Sequence, residues 1–147
     1  MVRLPSLVAL LCLTAAPALA QDKGAPNIDR GRLLFKQCAA CHSLDIGQGQ
    51  KVGPSLQGLW GRPIAAEKDF PYSEALSGLD GTWDGTELDR FLKRPSDYAK
   101  GTTMSFAGIS SDRNRRDLIA YLRETVGSFH AETPQNDTPQ ADAKAAE

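Results

Sequence analysis

Two cysteines three positions apart with a histidine directly after them, Cys38-Ala39-Ala40-Cys41-His42, constrain this chain more than any other stretch of its 147 residues. Thiols at that spacing on a helical turn reach the two vinyl groups of one porphyrin. The adjacent imidazole then meets the iron from the same side, so C-x-x-C-H is a signature of covalent, c-type haem attachment. A thioredoxin-like redox pair belongs beside a strand–helix–strand pattern, which this sequence lacks. A structural zinc ion takes four ligands, and there is no second Cys/His pair. A plain disulfide stays chemically open in an oxidising compartment.

The amino terminus points to such a compartment. Arg3, the apolar stretch from Leu4 to Ala16 and the sequence Ala18-Leu19-Ala20 read as a secretory signal over residues 1–20. The stretch is short for a bilayer span. Cleavage before Gln21 leaves a chain with no stable membrane insertion, placed most simply in a bacterial periplasm; retention of the segment as an anchor is the alternative. Without residues 1–20 the chain keeps two cysteines (Cys38 and Cys41), two histidines (His42 and His130) and one methionine (Met104).

The remaining sequence reads as all-α, in about five short helices. Residues 21–26 form a polar lead, 27–130 one folded domain, and 131–147 a disordered acidic tail without large apolar residues. Asn27 caps a helix running to about Cys38, with Ile28, Leu33, Leu34 and Phe35 as its apolar positions. A glycine inside a helix costs about 1 kcal/mol relative to alanine, so Gly31 predicts close packing against another helix. Residues 43–63 read as loop with a short helix near Ser55–Leu59, and Tyr72–Leu79 as another short helix. Asp84 and Glu87 form a capping-box-like start to a helix that Pro95 ends. A loop from Pro95 to Gly108 precedes the last helix, which Ser110 or Ser111 caps and in which Leu118, Tyr121, Leu122 and Val126 share one face.

Residues 27–130 carry 14 Lys and Arg against 13 Asp and Glu, while the tail carries one Lys and four acids. A nearly neutral domain gives no support to nucleic-acid binding. The clusters Arg113, Arg115, Arg116 and Lys93, Arg94 read as solvated helix surface. Large apolar side chains are few for five helices, so a buried macrocycle supplies apolar area that the side chains lack. Two residues are candidates for the iron's second axial position: Met104, in the loop Gly101-Thr102-Thr103-Met104-Ser105-Phe106, and His130, at the edge of the tail.

Further pieces in order carry a resemblance. Gly31 and Phe35 precede the C-x-x-C-H motif. Val52-Gly-Pro-Ser-Leu56 and Gly58-Leu-Trp-Gly-Arg62 follow, then Tyr72-Ser73, Trp83, Pro95, Gly101–Ile109 and Asp117-Leu-Ile-Ala-Tyr-Leu122. The chain resembles class I cytochrome c, particularly the bacterial cytochromes c2 and their mitochondrial relatives, over residues 28–127. The resemblance implies helices wrapped around one covalent haem c, with the first and last helices crossing where Gly31 and Phe35 meet Leu118 and Tyr121. It implies thioether bonds from Cys38 and Cys41, axial ligation by His42 and Met104, and a Pro54 carbonyl accepting the other ring N–H of His42. Arg62, Tyr72, Ser73 and Trp83 would hydrogen-bond or screen a haem propionate.

The sequence departs from better-known members at three positions. Phe91 stands where many carry a tyrosine bonded to the methionine sulfur, Leu76 where an asparagine is common, and Thr103 where a lysine precedes the ligand. The implied activity is one-electron transport, not enzymatic catalysis. The implied partners are redox proteins, namely a quinol-oxidising complex, an oxidase or a dehydrogenase, met by a monomer. Two other classes stand beside it: a haem subunit of a larger periplasmic redox complex, and a haem peroxidase or gas-binding protein. The last needs a labile iron position and a distal His-Arg pair, which the sequence lacks.

Overall fold

Asn27 starts the first helix, its side chain accepting from Arg30 N at 2.8 Å and so satisfying one of the amides that a helix start leaves open. The computed structural model describes residues 24–45 and 51–127. The signal-like residues 1–20, residues 21–23 of the polar lead, His130 and the acidic tail lie outside the described residues. Five helices follow in order among the described residues: α1 (Ile28–Phe35), α2 (Glu74–Ser77), α3 (Gly85–Lys93), α4 (Pro95–Tyr98) and α5 (Asp112–Thr125). No strand forms among the described residues; an isolated antiparallel bridge joins Pro63 to Thr82. The architecture is all-α, as the periodicity predicts.

Helices α1 and α5 pack together, and Gly31 is the reason they approach so closely. A Cβ at this position would overlap the Asp117 carbonyl oxygen and lie 2.6 Å from Tyr121 Cβ. One turn on, the Phe35 ring meets Tyr121 with centroids 5.8 Å apart. Burial of a side chain such as Phe35 stabilises by roughly 2–3 kcal/mol, which exceeds the helical cost of the glycine. Leu33, expected among the apolar positions, is 61% exposed. It lies two residues from both Gly31 and Phe35, and a 100° step per residue turns it to the opposite face.

An ion pair ties the same two helices. Asp117 is fully buried; it accepts from Asn27 N at 2.9 Å and pairs with Arg30 Nε. Burial pushes its carboxyl upward, but the Asn27 N–H, the Arg30 guanidinium and the charge of Arg116 together outweigh it and hold the pKa below its ordinary 3.8. A depressed carboxylate contributes stability above its unfolded pKa, and the contribution fades as pH falls through the folded one. The stability difference between the native chain and Asp117→Asn is therefore expected to be constant above about pH 5. It should shrink on acidification below 3.8, as read by denaturant titration across pH.

Several local expectations change on folding. Helix α1 ends at Phe35 rather than near Cys38, and the chain continues in turns held by Cys38 N to Phe35 O at 2.8 Å and His42 N to Cys38 O at 2.9 Å. No helix forms at Ser55–Leu59. Gly58 and Gly61 both adopt positive φ, which breaks a right-handed helix into turns. The helix expected over Tyr72–Leu79 shortens to α2, because Ser73 caps it by accepting from Leu76 N. The segment after Pro95 is not all loop: proline sits at the first position of α4, where its missing N–H costs nothing. Asp84 caps α3 by accepting from Thr86 N and Glu87 N, both at 2.8 Å. Glu87 takes no part in a reciprocal box; its carboxylate accepts from Tyr98 Oη and Arg90 instead. Ser111, not Ser110, caps α5.

One expectation about charge is wrong. Lys93, Arg94 and Arg113 are exposed, but Arg115 is buried and Arg116 half-buried. Arg115 lies three and seven residues before Leu118 and Leu122 and so shares the inward stripe of α5. Its guanidinium reaches Asp89 Oδ1 at 2.8 Å, Asp112 Oδ1 at 2.6 Å, and the carbonyls of Ile109 and Ser110 at 2.8 and 2.9 Å.

Candidate metal centre

The C-x-x-C-H segment sits in the turns between α1 and the loop that follows. Cys38 is half-buried, Cys41 exposed, and both thiols are free. Burial pushes the Cys38 thiol up to about 11. A redox-active dithiol needs the opposite, a depressed pKa that supplies thiolate. Among the described residues no three His, Cys, Asp or Glu side chains converge to hold an ion, so a zinc site built from protein ligands alone is not formed there.

The loop at 51–56 is laced back onto this segment. Gly53 N donates to Cys41 O at 2.8 Å, Leu56 N to Ser43 O at 2.9 Å, and Lys51 Nζ to Ala39 O at 3.0 Å. This lacing brings Pro54 O to 2.8 Å from His42 Nδ1. The carbonyl can only accept, so Nδ1 carries the proton and the lone pair is on Nε2. Burial lowers the pKa of the ring and the nearby Lys51 charge lowers it further, against the Pro54 bond, which raises it. The net lowering keeps the imidazole neutral at pH 7, the form that binds a metal. Gly53 lies against the ring, where a Cβ would be 2.7 Å from Cε1. Pro54 and Gly53 together fix both the tautomer and the tilt of His42.

Met104 is half-buried and packs on the core, in the loop that joins α4 to α5. Its N–H donates to Thr102 Oγ1 at 3.3 Å and its carbonyl accepts from Phe106 N at 2.9 Å. Leu76 and Phe91, the apolar replacements noted in the sequence, are both buried. Phe91 packs against Trp83 and Tyr98, with ring centroids 5.1 and 5.5 Å apart.

The four residues expected around an acidic group are partly assembled. Trp83 N donates to Arg62 O, Gly61 N to Trp83 O and Ile64 N to Gly81 O, so backbone pairing sets Arg62 beside Trp83. Both are buried. Arg62 Nη1 reaches Glu67 Oε2 at 2.6 Å and Nη2 reaches Ser55 O at 2.8 Å. Tyr72 is close enough that the Arg62 charge opposes the upward push of burial on its phenol. The Ser73 hydroxyl accepts from Leu76 N, which leaves its proton to donate. Sequence reasoning missed Glu67, whose carboxylate already neutralises Arg62. It also missed Lys51, which only the folded loop brings to the motif.

These residues fit haem c. Arg62 Nε is buried without a hydrogen-bond partner among the described residues, and a buried donor of that kind suits a propionate. Two free thiols at vinyl spacing and an imidazole with one committed nitrogen complete the donor set.

Comparison with known proteins agrees. The pattern of the family described as Cytochrome c matches residues 28–125. A cytochrome c homolog of Rickettsia bellii is 49% identical over 100 residues, covering 68% of this chain and 58% of that protein. The chain thus spans less than two thirds of the Rickettsia relatives it matches. Cytochrome c of Gibberella zeae is 38% identical over 68% of this chain and 95% of its own length. Cytochrome c2 of Blastochloris viridis is 37% identical over 78% and 87%. With helices and donor set in the order that the family requires, the chain belongs to the cytochrome c family and has the all-α class I fold built around a covalently bound haem c.

Proposed function

We propose that this protein is a one-electron carrier of the periplasm, exchanging electrons with redox-protein partners of the quinol-oxidising, oxidase or dehydrogenase kind. The observation that carries the reading is the commitment of His42 Nδ1 to Pro54 O at 2.8 Å beside two free thiols. It leaves Nε2 as a fixed, neutral ligand. Haem c, when bound, supplies an iron that alternates between ferrous and ferric states, and Met/His ligation raises its potential. Cys38 and Cys41 would hold the macrocycle and His42 and Met104 would serve as its two protein ligands, so that little would reorganise between oxidation states. Arg62, Tyr72, Ser73 and Trp83 would screen a propionate, with the unpartnered Arg62 Nε available to donate to it. No described helix is long and apolar enough to cross a membrane. Ligation by both His42 and Met104 would leave no labile iron position, which favours a carrier over a peroxidase or gas-binding protein.

A visible spectrum with a redox titration tests this. The native protein should be low-spin in both states, and its ferrous form should not bind carbon monoxide. Met104→Ala should become high-spin and CO-reactive. Its potential should fall by roughly a quarter of the ~0.8 V range that axial ligands set. A native ferrous form that takes up carbon monoxide readily would overturn the reading.

A further inference from the structure

The loop that carries Met104 is held at its ends. Upstream, Ala99 N donates to Pro95 O and Thr102 N to Ala99 O, both at 2.9 Å. Downstream, Ile109 N donates to Leu92 O at 2.8 Å, and Gly108 lies against the Lys93 carbonyl. Between Thr103 and Ala107 the described hydrogen bonds stay within the loop: Met104 N to Thr102 Oγ1 and Phe106 N to Met104 O. Arg115 makes the strongest downstream attachment. Its side chain is only 3% exposed, and one nitrogen, Nη1, donates to both Ile109 O and Ser110 O. Its Nε and Nη2 reach the two Asp89 oxygens of α3 at 2.8 and 3.2 Å, and Nη2 also reaches Asp112. A planar guanidinium can serve α3, α5 and the loop end at once, which an ammonium cannot. The end of the Met104 loop is therefore fastened to two helices through one buried cation.

We propose that Arg115, steadied by Asp89, is a positioning residue for Met104. By clamping the downstream end of the loop it sets how often the loop lifts and lets an outside ligand take the methionine's place. This rests on Met104 being the axial ligand. A lifted loop is a locally open state, and the apparent affinity of a competing ligand scales with the fraction of molecules in it.

The test is imidazole titration of the ferric holoprotein, followed by its visible spectrum. Global stability of each variant is read separately by guanidinium unfolding. Arg115→Lys keeps the charge but cannot hold both carbonyls and Asp89. It should raise the apparent imidazole affinity about tenfold, reflecting a tenfold larger open fraction. Asp89→Asn leaves the helices and the loop sequence intact, and should raise it by a smaller factor. Arg30→Ala, which breaks the ion pair between α1 and α5 without touching the loop, should lower the unfolding midpoint and leave imidazole affinity unchanged. Equal rises in all three variants would mean that only global stability matters, and no rise in the Arg115 and Asp89 variants would mean that the clamp is idle; either overturns the proposal. Met104→Ala separates the two levels of argument. If it leaves the native imidazole affinity unaltered, the ligand assignment itself fails. If it raises the affinity while the Arg115 variant does not, only the clamp fails.

Discussion

A chain carrying Cys38→Ala and Cys41→Ala, unable to hold haem covalently, is expected to lose cooperative unfolding and most of its helical far-ultraviolet signal. The buried apolar residues are few: among the described residues, Phe35, Leu59, Ile64, Leu76, Trp83, Leu88, Phe91, Leu92, Ile109, Leu118, Leu122 and Val126 form the large-residue core. Four of the five helices among the described residues are nine residues or shorter: α1 has eight, α2 four, α3 nine and α4 four, against fourteen in α5. Helices of under about 12–15 residues are marginal on their own in water, and a domain of this size has a small net stability of about 5–15 kcal/mol. Removal of a buried macrocycle takes away apolar contact that several of these helices share. A thermal scan of the purified variant decides the point. A sharp transition with native-like helix content would show that the side chains suffice, and would separate folding from haem attachment.

Replacing Gly31 by valine is expected to produce the second-largest loss, about 3 kcal/mol or more, because overpacking in a rigid contact forces the backbone itself to shift. The atoms that a new Cβ meets are the Asp117 carbonyl and Tyr121 Cβ, neither of which can swing aside as a flexible side-chain end does. Separating α1 from α5 also strains the Asn27 and Arg30 bonds to Asp117 and the Phe35–Tyr121 contact. Guanidinium unfolding of the holoprotein should show a lower midpoint, while the visible spectrum, which the proposed ligation by His42 and Met104 would set, changes little. Gly31→Ala should fall between the two. An unchanged midpoint for both variants would mean that the helices do not cross at this position in solution.

The readings that held share a cause. Helix starts at Asn27, Asp84 and Ser111 are legible because capping is local chemistry: a short oxygen-bearing side chain meets amides two or three residues on. The glycine at the crossing is legible because it is costly in a helix unless something needs the space. The haem c cofactor is legible because covalent attachment demands a fixed C-x-x-C-H spacing. The readings that failed depended on direction or on distant partners. Leu33 was apolar but faced away from the partner helix, and α1 stopped short of the cysteines because the chain there turns to meet the loop at 51–56.

Arg115 shows the boundary most clearly. Its charge suggests surface, yet its spacing from Leu118 and Leu122 already turns it inward, so the signal was present and outweighed by composition. What makes burial tolerable is only visible in three dimensions: Asp89 from another helix and two loop carbonyls converge on one guanidinium. The same holds for Arg62: backbone pairing across the 61–64 and 81–83 segments sets Trp83 beside it, and the Glu67 carboxylate neutralises it. By itself the sequence determined the cofactor chemistry, the helical class and the helix starts, because each depends on residues a few positions apart. The tertiary structure alone decided the partners of each buried charge and the anchoring of the Met104 loop, because those bonds join residues that are distant along the chain or depend on how loops fold back.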